Sequence, residues 1–153
     1  MLYCDQFENA RKAALKYLAY RARTEFQVAE MLYRKGYDEE IAQQVVSNLK
    51  EYGFLNDEDF AENYVRKRSL RPRAFLEANL NKLGLDKCII ERALNGVDPG
   101  AELRVAMSLA IGKKRLRGDE YPLVNIAAFL RRRGFSQETI ERVCSCLENM
   151  PHP

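Results

Sequence analysis

The sequence predicts an all-α chain built of three tandem three-helix repeats. The first observation is a helix ending that occurs three times: Leu32-Tyr-Arg-Lys-Gly36-Tyr-Asp38, Leu80-Asn-Lys-Leu-Gly84-Leu-Asp86 and Leu130-Arg-Arg-Arg-Gly134-Phe-Ser136. Each copy has Leu four residues before Gly, a large apolar residue just after it, and Asp or Ser next. The second is the period. The glycines lie 48 and then 50 residues apart, and twelve residues before each sits a helix starter, Thr24, Pro72 or Pro122. A period of this length, held through three copies, marks a modular helical array. The third is that no segment shows the two-residue alternation of a half-buried strand. The repeats are expected at residues 8–54, 55–98 and 101–150. Arrays present long surfaces, which favours a binding protein over an enzyme.

In the first repeat, residues 8 to 22 carry Ala14, Leu18 and Ala22 at helical spacing. Thr24 opens a second helix, and Gln27 three residues on completes a capping box. Val28, Met31 and Leu32 form its apolar stripe. Gly36 ends it, because a left-handed closing residue costs glycine little. Asp38 caps the third helix, with Ile41, Val45, Val46 and Leu49 facing inward.

The second repeat opens at Asn56, followed by Asp57, Glu58 and Asp59, whose carboxylates oppose the positive end of a helix. Phe60, Ala61, Tyr64 and Val65 make the buried face. Pro72 suits the first turn of the next helix, where its missing amide would be unpaired anyway. Phe75, Leu76, Leu80 and Leu83 pack inward. Asp86 caps a helix carrying Ile89, Ile90, Ala93 and Leu94. Residues 95–100, Asn-Gly-Val-Asp-Pro-Gly, form the strongest break in the chain.

The third repeat begins with a helix over 101–116 carrying Leu103, Ala106, Met107 and Ala110, which Gly112 interrupts or begins to end. A linker from Arg117 to Pro122 follows. Val124, Ala127, Phe129 and Leu130 lead to Gly134. Ser136 caps a last helix with Ile140, Val143 and Leu147, and Met150-Pro-His-Pro153 is a frayed tail.

Apolar residues make up 46% of the 153 and charged residues 31%, a balance that suits a folded chain and not a disordered one. No apolar run approaches the roughly 18–20 residues of a membrane span. The N-terminus lacks the basic and then apolar build of a signal peptide, so a cytosolic protein is expected. Cys4, Cys88, Cys144 and Cys146 form no CxxC pair, and one histidine, His152, lies in the tail. No metal site and no cofactor are expected. The thiols are read as reduced and mostly packed as small apolar side chains.

The net charge of +3 is unevenly spread. Residues 1–54 and 55–100 each hold eight basic and eight acidic residues, and residues 101–153 hold nine and six. Within that balance stand three basic strings: Arg66, Lys67, Arg68, Arg71 and Arg73; Lys113, Lys114, Arg115 and Arg117; and Arg131, Arg132 and Arg133. Local clustering matters more than the total for a polyanionic partner. Cations in the last turn of a helix have an internal reason in the helix dipole, which covers Arg66 to Arg68 and Arg131 to Arg133. Arg71 and Arg73 flank Pro72 at a helix start, where the dipole disfavours them, so an external anion is the better reason there.

Several strings resemble the RecX family, the regulators of the recombinase RecA. They are Ala14-Leu-Lys-Tyr-Leu18 with Arg21-Ala-Arg-Thr-Glu25, Leu32-Tyr-Arg-Lys-Gly36, Gly53-Phe-Leu-Asn-Asp57 with Phe60-Ala61 and Tyr64-Val65, and Phe129-Leu-Arg-Arg-Arg-Gly-Phe135. The resemblance covers roughly residues 10 to 148. The Leu-Asn-Asp-x-x-Phe-Ala segment within a three-repeat helical chain is its most specific part. Asn79-Leu-Asn-Lys-Leu-Gly84 departs from the charged approach to glycine that many members show. The resemblance implies a curved, elongated protein. It also implies a non-catalytic protein that binds RecA and its DNA filament and suppresses ATPase, recombinase and coprotease activities; a monomer is the default expectation.

Two other classes are weighed against it. In a DNA-reading helix-turn-helix protein, the helix after each glycine would enter the major groove. Residues 38–49 hold Asp38, Glu39 and Glu40 and no basic residue, and residues 136–148 hold Glu138, Glu141 and Glu148 against one Arg142. Phosphates would repel both. DNA contact is expected from residues 66–73 or 113–117, without sequence preference. For an enzyme, no Walker sequence, metal signature or nucleophile–base pair is visible. Asp57, Glu58 and Asp59 are read as helix-capping groups and Phe60 and Tyr64 as core.

Overall fold

The computed structural model describes residues 2–68 and 70–151, which fold into nine helices with no strand among the described residues. They are α1 (Tyr3–Tyr20), α2 (Glu25–Arg34), α3 (Glu39–Glu51), α4 (Asp57–Lys67), α5 (Arg73–Lys82), α6 (Lys87–Asn95), α7 (Pro99–Arg117), α8 (Leu123–Arg132) and α9 (Gln137–Glu148). His152 and Pro153 of the expected tail lie outside the described residues.

The repeated helix ending has one geometry in all three copies. The amides of Tyr37, Leu85 and Phe135 donate to the carbonyls of Leu32, Leu80 and Leu130, six residues to one. The amides of Gly36, Gly84 and Gly134 donate to Tyr33, Asn81 and Arg131. This is the Schellman closure, and it needs a left-handed residue at the glycine. The three glycines have φ of 94°, 76° and 91°. The pattern Leu-x-x-x-Gly-apolar is thereby explained, since the closure brings the first and last apolar residues together.

Helix starts follow from local side chains. The Thr24 hydroxyl accepts from the Gln27 amide at 3.2 Å, and the Gln27 side chain accepts from the Thr24 amide at 3.1 Å, a complete capping box. Asp38, Asn56 and Ser136 each accept from the amide three residues on, at 2.9, 3.1 and 3.2 Å. Pro72 precedes α5 and does not occupy its first turn; its carbonyl accepts from Leu76.

Contacts divide the chain into two compact units. One comprises the residues up to Tyr64 together with Leu80–Ala93. The other comprises Val65–Asn79 together with the residues from Leu94 on. Helices α4, α5 and α6 therefore contribute to both.

In the first unit α1, α2 and α3 pack on one another around Ala10, Ala14, Val28, Leu32, Ile41, Val45 and Leu49. In the second, α7, α8 and α9 do the same around Ala106, Ala110, Ile126, Leu130, Ile140, Val143 and Leu147. Each set places a buried alanine pair at i,i+4 on its first helix, Ala10 and Ala14 or Ala106 and Ala110. Side chains this small allow the close end of the interaxial range for packed helices.

The first unit also holds a polar junction. Buried Thr24 donates its hydroxyl to the Leu83 carbonyl at 2.7 Å, beyond the end of α5. Asp57 accepts from the Glu25 amide at 3.0 Å, so the first residue of α4 also caps α2. Lys50 pairs with Glu25 at 3.3 Å. On the other side of this junction Phe26 lies on Gly84, where a Cβ would overlap its ring and its own Cβ.

Several expectations are corrected. Helix α1 begins at Tyr3, five residues before the expected start, and Ala22 lies beyond its end, exposed. Helix α7 runs unbroken through Gly112 to Arg117. One internal glycine costs only about 1 kcal/mol against alanine, less than the loss of the turns beyond it. The break expected at 95–100 shrinks to 96–98, because Asp98 caps α7 by accepting from the Gly100 amide at 2.9 Å. Val124 is 73% exposed; the buried row of α8 is Ile126 and Leu130, and a residue two before Ile126 falls on the far side of a 3.6-residue turn. The thiols are not mostly packed: Cys4, Cys88 and Cys146 are exposed and only Cys144 is partly buried.

Two predictions follow from the first unit. Gly36→Ala places a side chain in open space at positive φ, so it should cost the left-handed penalty alone, about 1–2 kcal/mol. Gly84→Ala adds overlap with Phe26 and should cost roughly 1–3 kcal/mol more. Urea denaturation measures both, and adding Phe26→Ala should recover part of the Gly84→Ala loss but none of the Gly36→Ala loss.

The second prediction concerns pH. Burial raises the Asp57 carboxyl from 3.8 to about 6, the Glu25 carboxylate adding to the rise against the Glu25 amide and Lys50. The folded state thus binds this proton more tightly than the unfolded state. The group's stabilising effect is full below about pH 3.8 and lost as pH rises to about 6. Asp57→Asn keeps an acceptor for the Glu25 amide and removes the titration. Its stability relative to the unsubstituted protein should climb between pH 4 and 6.5 by on the order of 1 kcal/mol, then level. A difference that is flat across denaturation midpoints at those pH values would contradict the assignment.

Candidate partner-binding site

All twelve residues of the three basic strings belong to the second unit. In sequence the second and third strings begin 40 and 58 residues after Arg73; the fold places all three in one unit. Arg66 and Lys67 end α4, exposed, and Arg68 follows them into the turn. Arg71 lies just ahead of α5 and Arg73 begins it. Lys113, Lys114, Arg115 and Arg117 fall on the last turns of α7, with Lys113 and Lys114 half-buried and the two arginines exposed. Arg131 and Arg132 end α8, and Arg133 is its closing residue.

Two aromatic rings organise the cations. The Lys113 ammonium and the Arg133 guanidinium each stand 4.9 Å from the centre of the Phe129 ring. The Arg71 guanidinium stands 4.8 Å from the centre of Phe75. A cation over a ring gains about 0.5–1 kcal/mol at an exposed site, and the ring covers its apolar stem. Phe75 in turn packs against Gly134, where an added Cβ would come within 3.3 Å of the Phe75 Cβ. A continuous path therefore runs from Arg71 through Phe75, Gly134, Arg133 and Phe129 to Lys113. It joins all three strings through ring contacts that leave the positive charges uncancelled.

Arg73 and Arg131 also reach neutral groups. Arg73 donates to the Leu94 carbonyl at 3.2 Å, in the last turn of α6. A cation at the start of α5 thus has an internal reason, as a donor to the carbonyl end of another helix. Arg131 donates to the Gln137 side chain at 3.3 Å. The Lys114 carbonyl accepts from Gly118, whose φ of 98° closes α7. Among the described residues no carboxylate pairs with Arg71 or Arg73.

Beside Arg71 and Arg73 opens a cavity of about 170 Å³, walled by Val97, Ala101, Val105 and Phe135. Asp98 and Glu102 stand at it as well. Asp98 accepts from Arg104 at 2.7 Å, and that guanidinium and the Gly100 amide hold its carboxyl below the usual carboxylate value. Glu102 accepts from the Thr139 hydroxyl at 3.3 Å and the Ser136 amide at 3.4 Å, tying α7 to the start of α9.

The acidic string at 57–59 is dispersed. Asp57 serves the Glu25 amide, Glu58 pairs with Arg92 at 3.0 Å, and Asn56 caps Asp59. Phe60 and Tyr64 are half-buried, their rings stacked at 6.2 Å between centres. No group of three or more metal-ligating side chains occurs among the described residues. Burial, with Glu148 nearby, raises the Cys144 thiol. No helix of the described residues is long and apolar enough to cross a membrane.

Comparison with known proteins agrees with this architecture. The family model described as RecX, first three-helix domain, matches residues 10–49. The regulatory protein RecX of Mycolicibacterium vanbaalenii is 37% identical over 142 residues, covering 85% of this chain and 77% of that protein. That of Clostridium botulinum is 33% identical over 145 residues, covering 91% and 68%. The crystal structure of RecX from Lactobacillus salivarius superposes with a TM-score of 0.83 at 25% identity, covering 96% of this chain and 99% of that one. With relatives this similar over most of its length, the chain belongs to the RecX family of regulatory proteins.

Proposed function

We propose that the chain is a non-catalytic modulator of RecA. It binds RecA and the RecA–DNA filament as a monomer in the cytoplasm and inhibits ATPase, recombinase and coprotease activities. The observation that carries this reading is the likeness to regulatory proteins named RecX over most of the chain. The gathering of basic residues in one unit supports it further, because a nucleoprotein filament offers acidic protein surface and phosphate together. In this reading the chain comprises three tandem repeats, 8–54, 55–98 and 101–150. Arg66, Lys67, Arg68, Arg71, Arg73, Lys113, Lys114, Arg115, Arg117, Arg131, Arg132 and Arg133 form the surface that meets RecA, DNA or both. The second reading, a DNA-binding helical protein without sequence preference, draws on the same cations and on the aromatic rings beneath them.

The test is the ATPase rate of the cognate RecA on single-stranded DNA with this protein titrated in. Inhibition well below one copy per RecA supports end-capping or cooperative disassembly, and inhibition near equal stoichiometry supports groove coating or sequestration. No effect from folded protein rejects the proposal in favour of the second reading. Charge reversal at Lys113 and Arg133 should weaken filament binding by about tenfold or more, 1.4 kcal/mol. The same change at exposed Lys12 and Lys16 of α1 should have little effect, and equal losses would sink the assigned surface. Binding should also weaken as salt is raised.

A further inference from the structure

We propose that the cavity beside Arg71 and Arg73 receives a single acidic side chain of the protein partner, and not DNA phosphate. The inference rests on the reading of the chain as a RecA modulator and assigns one part of its surface to protein contact.

Size is the first argument. At about 170 Å³, the cavity falls below the ~300–1,000 Å³ of small-molecule sites. That size suits one side chain and not a nucleotide. The second argument is its lining. Val97, Ala101, Val105 and Phe135 are apolar and suit the methylene stem of an Asp or Glu better than a hydrated phosphodiester. The third is charge. Arg71 keeps its guanidinium on the Phe75 ring, and Arg73 uses one nitrogen, Nη1, on the Leu94 carbonyl. Both retain donors for a carboxylate, which an arginine fork matches in two parallel bonds. Asp98 and Glu102 do not neutralise them. Asp98 is occupied by Arg104 and the Gly100 amide, and Glu102 by Thr139 and the Ser136 amide.

Glu102 also selects among anions. Its hydrogen bonds are with the neutral Thr139 hydroxyl and Ser136 amide, so it keeps its charge, and a phosphate backbone bringing a row of charges past it would be repelled. A protein segment brings one carboxylate and sets other side chains against Glu102. Mixed charge around an apolar cavity is the pattern by which protein partners fix register and exclude wrong ones.

The test compares two probes on the full chain: the cognate RecA without DNA, and a fluorescent single-stranded oligodeoxynucleotide without RecA. Ala101→Phe fills the cavity and leaves every charge in place. It should weaken RecA binding by about tenfold or more and leave oligonucleotide binding unchanged. Arg71→Gln removes a cation whose guanidinium, among the described residues, stands on the half-buried Phe75 ring. It should weaken RecA binding by about tenfold and oligonucleotide binding by less than about threefold. If Ala101→Phe does not fold by circular dichroism, Arg71→Gln decides alone. Variants that bind RecA as the unsubstituted chain does overturn the occupied cavity. Equal losses on both probes overturn it in favour of phosphate. An unsubstituted chain that does not bind RecA at all is a different result, which removes the proposed function and the occupant with it.

Discussion

The six-to-one hydrogen bond that closes each second helix is the constraint from which the rest of this chain follows. It forces the glycine into the left-handed region, turns the chain sharply into the third helix, and carries the next residue back over the leucine at its start. Leu85 and Phe135 are buried as a result. The same glycines also receive a neighbour. Phe26 of α2 rests on Gly84 and Phe75 of α5 rests on Gly134. In each case an aromatic residue of one repeat's second helix packs on the glycine of the next repeat. One residue type thus meets two demands that no other residue meets together: positive φ and no Cβ. Gly36 has open space at the corresponding point.

The candidate site is built on this same joint. Phe75 reaches Gly134 and carries Arg71 on its ring, while Arg133, next to that glycine, turns onto Phe129 beside Lys113. Cations that would otherwise swing on flexible stems are held against rings fixed by packing. Less side-chain entropy is then lost when a partner binds. The carboxylates nearby are tied into helix starts and an arginine pair, so the basic character of the surface persists without isolating the charges from water.

Much of this was legible because it is local. Leu-x-x-x-Gly-apolar gives the closures, Thr24 with Gln27 gives a capping box, and Asp38, Asn56 and Ser136 give helix starts, each from residues within five positions. The path of cations was half legible. Arg71 with Phe75 and Phe129 with Arg133 are both i,i+4 pairs, a spacing that places side chains together on any helix. Reading both phenylalanines simply as apolar-face residues hid it. Lys113 meets Phe129 across two helices, and no spacing rule reports that. Asp57 looked like a first-turn carboxylate of α4, while its accepted hydrogen bond comes from the start of α2, 32 residues earlier.

The division of the middle helices between two compact units bears on how the chain is made. Neither unit is a continuous stretch. The first lacks its closing residues until Ala93 has been synthesised, and the fifteen residues from Val65 to Asn79 must wait meanwhile for partners that begin at Leu94. Domains ordinarily fold in order as they leave the ribosome, at about 5–20 residues per second. Here residues of the second unit are synthesised before the first unit is complete. Premature termination after the first repeat would strand Thr24 without the Leu83 carbonyl and Phe26 without Gly84. Synthesis of the chain therefore completes contacts of the first unit only after part of the second has been made.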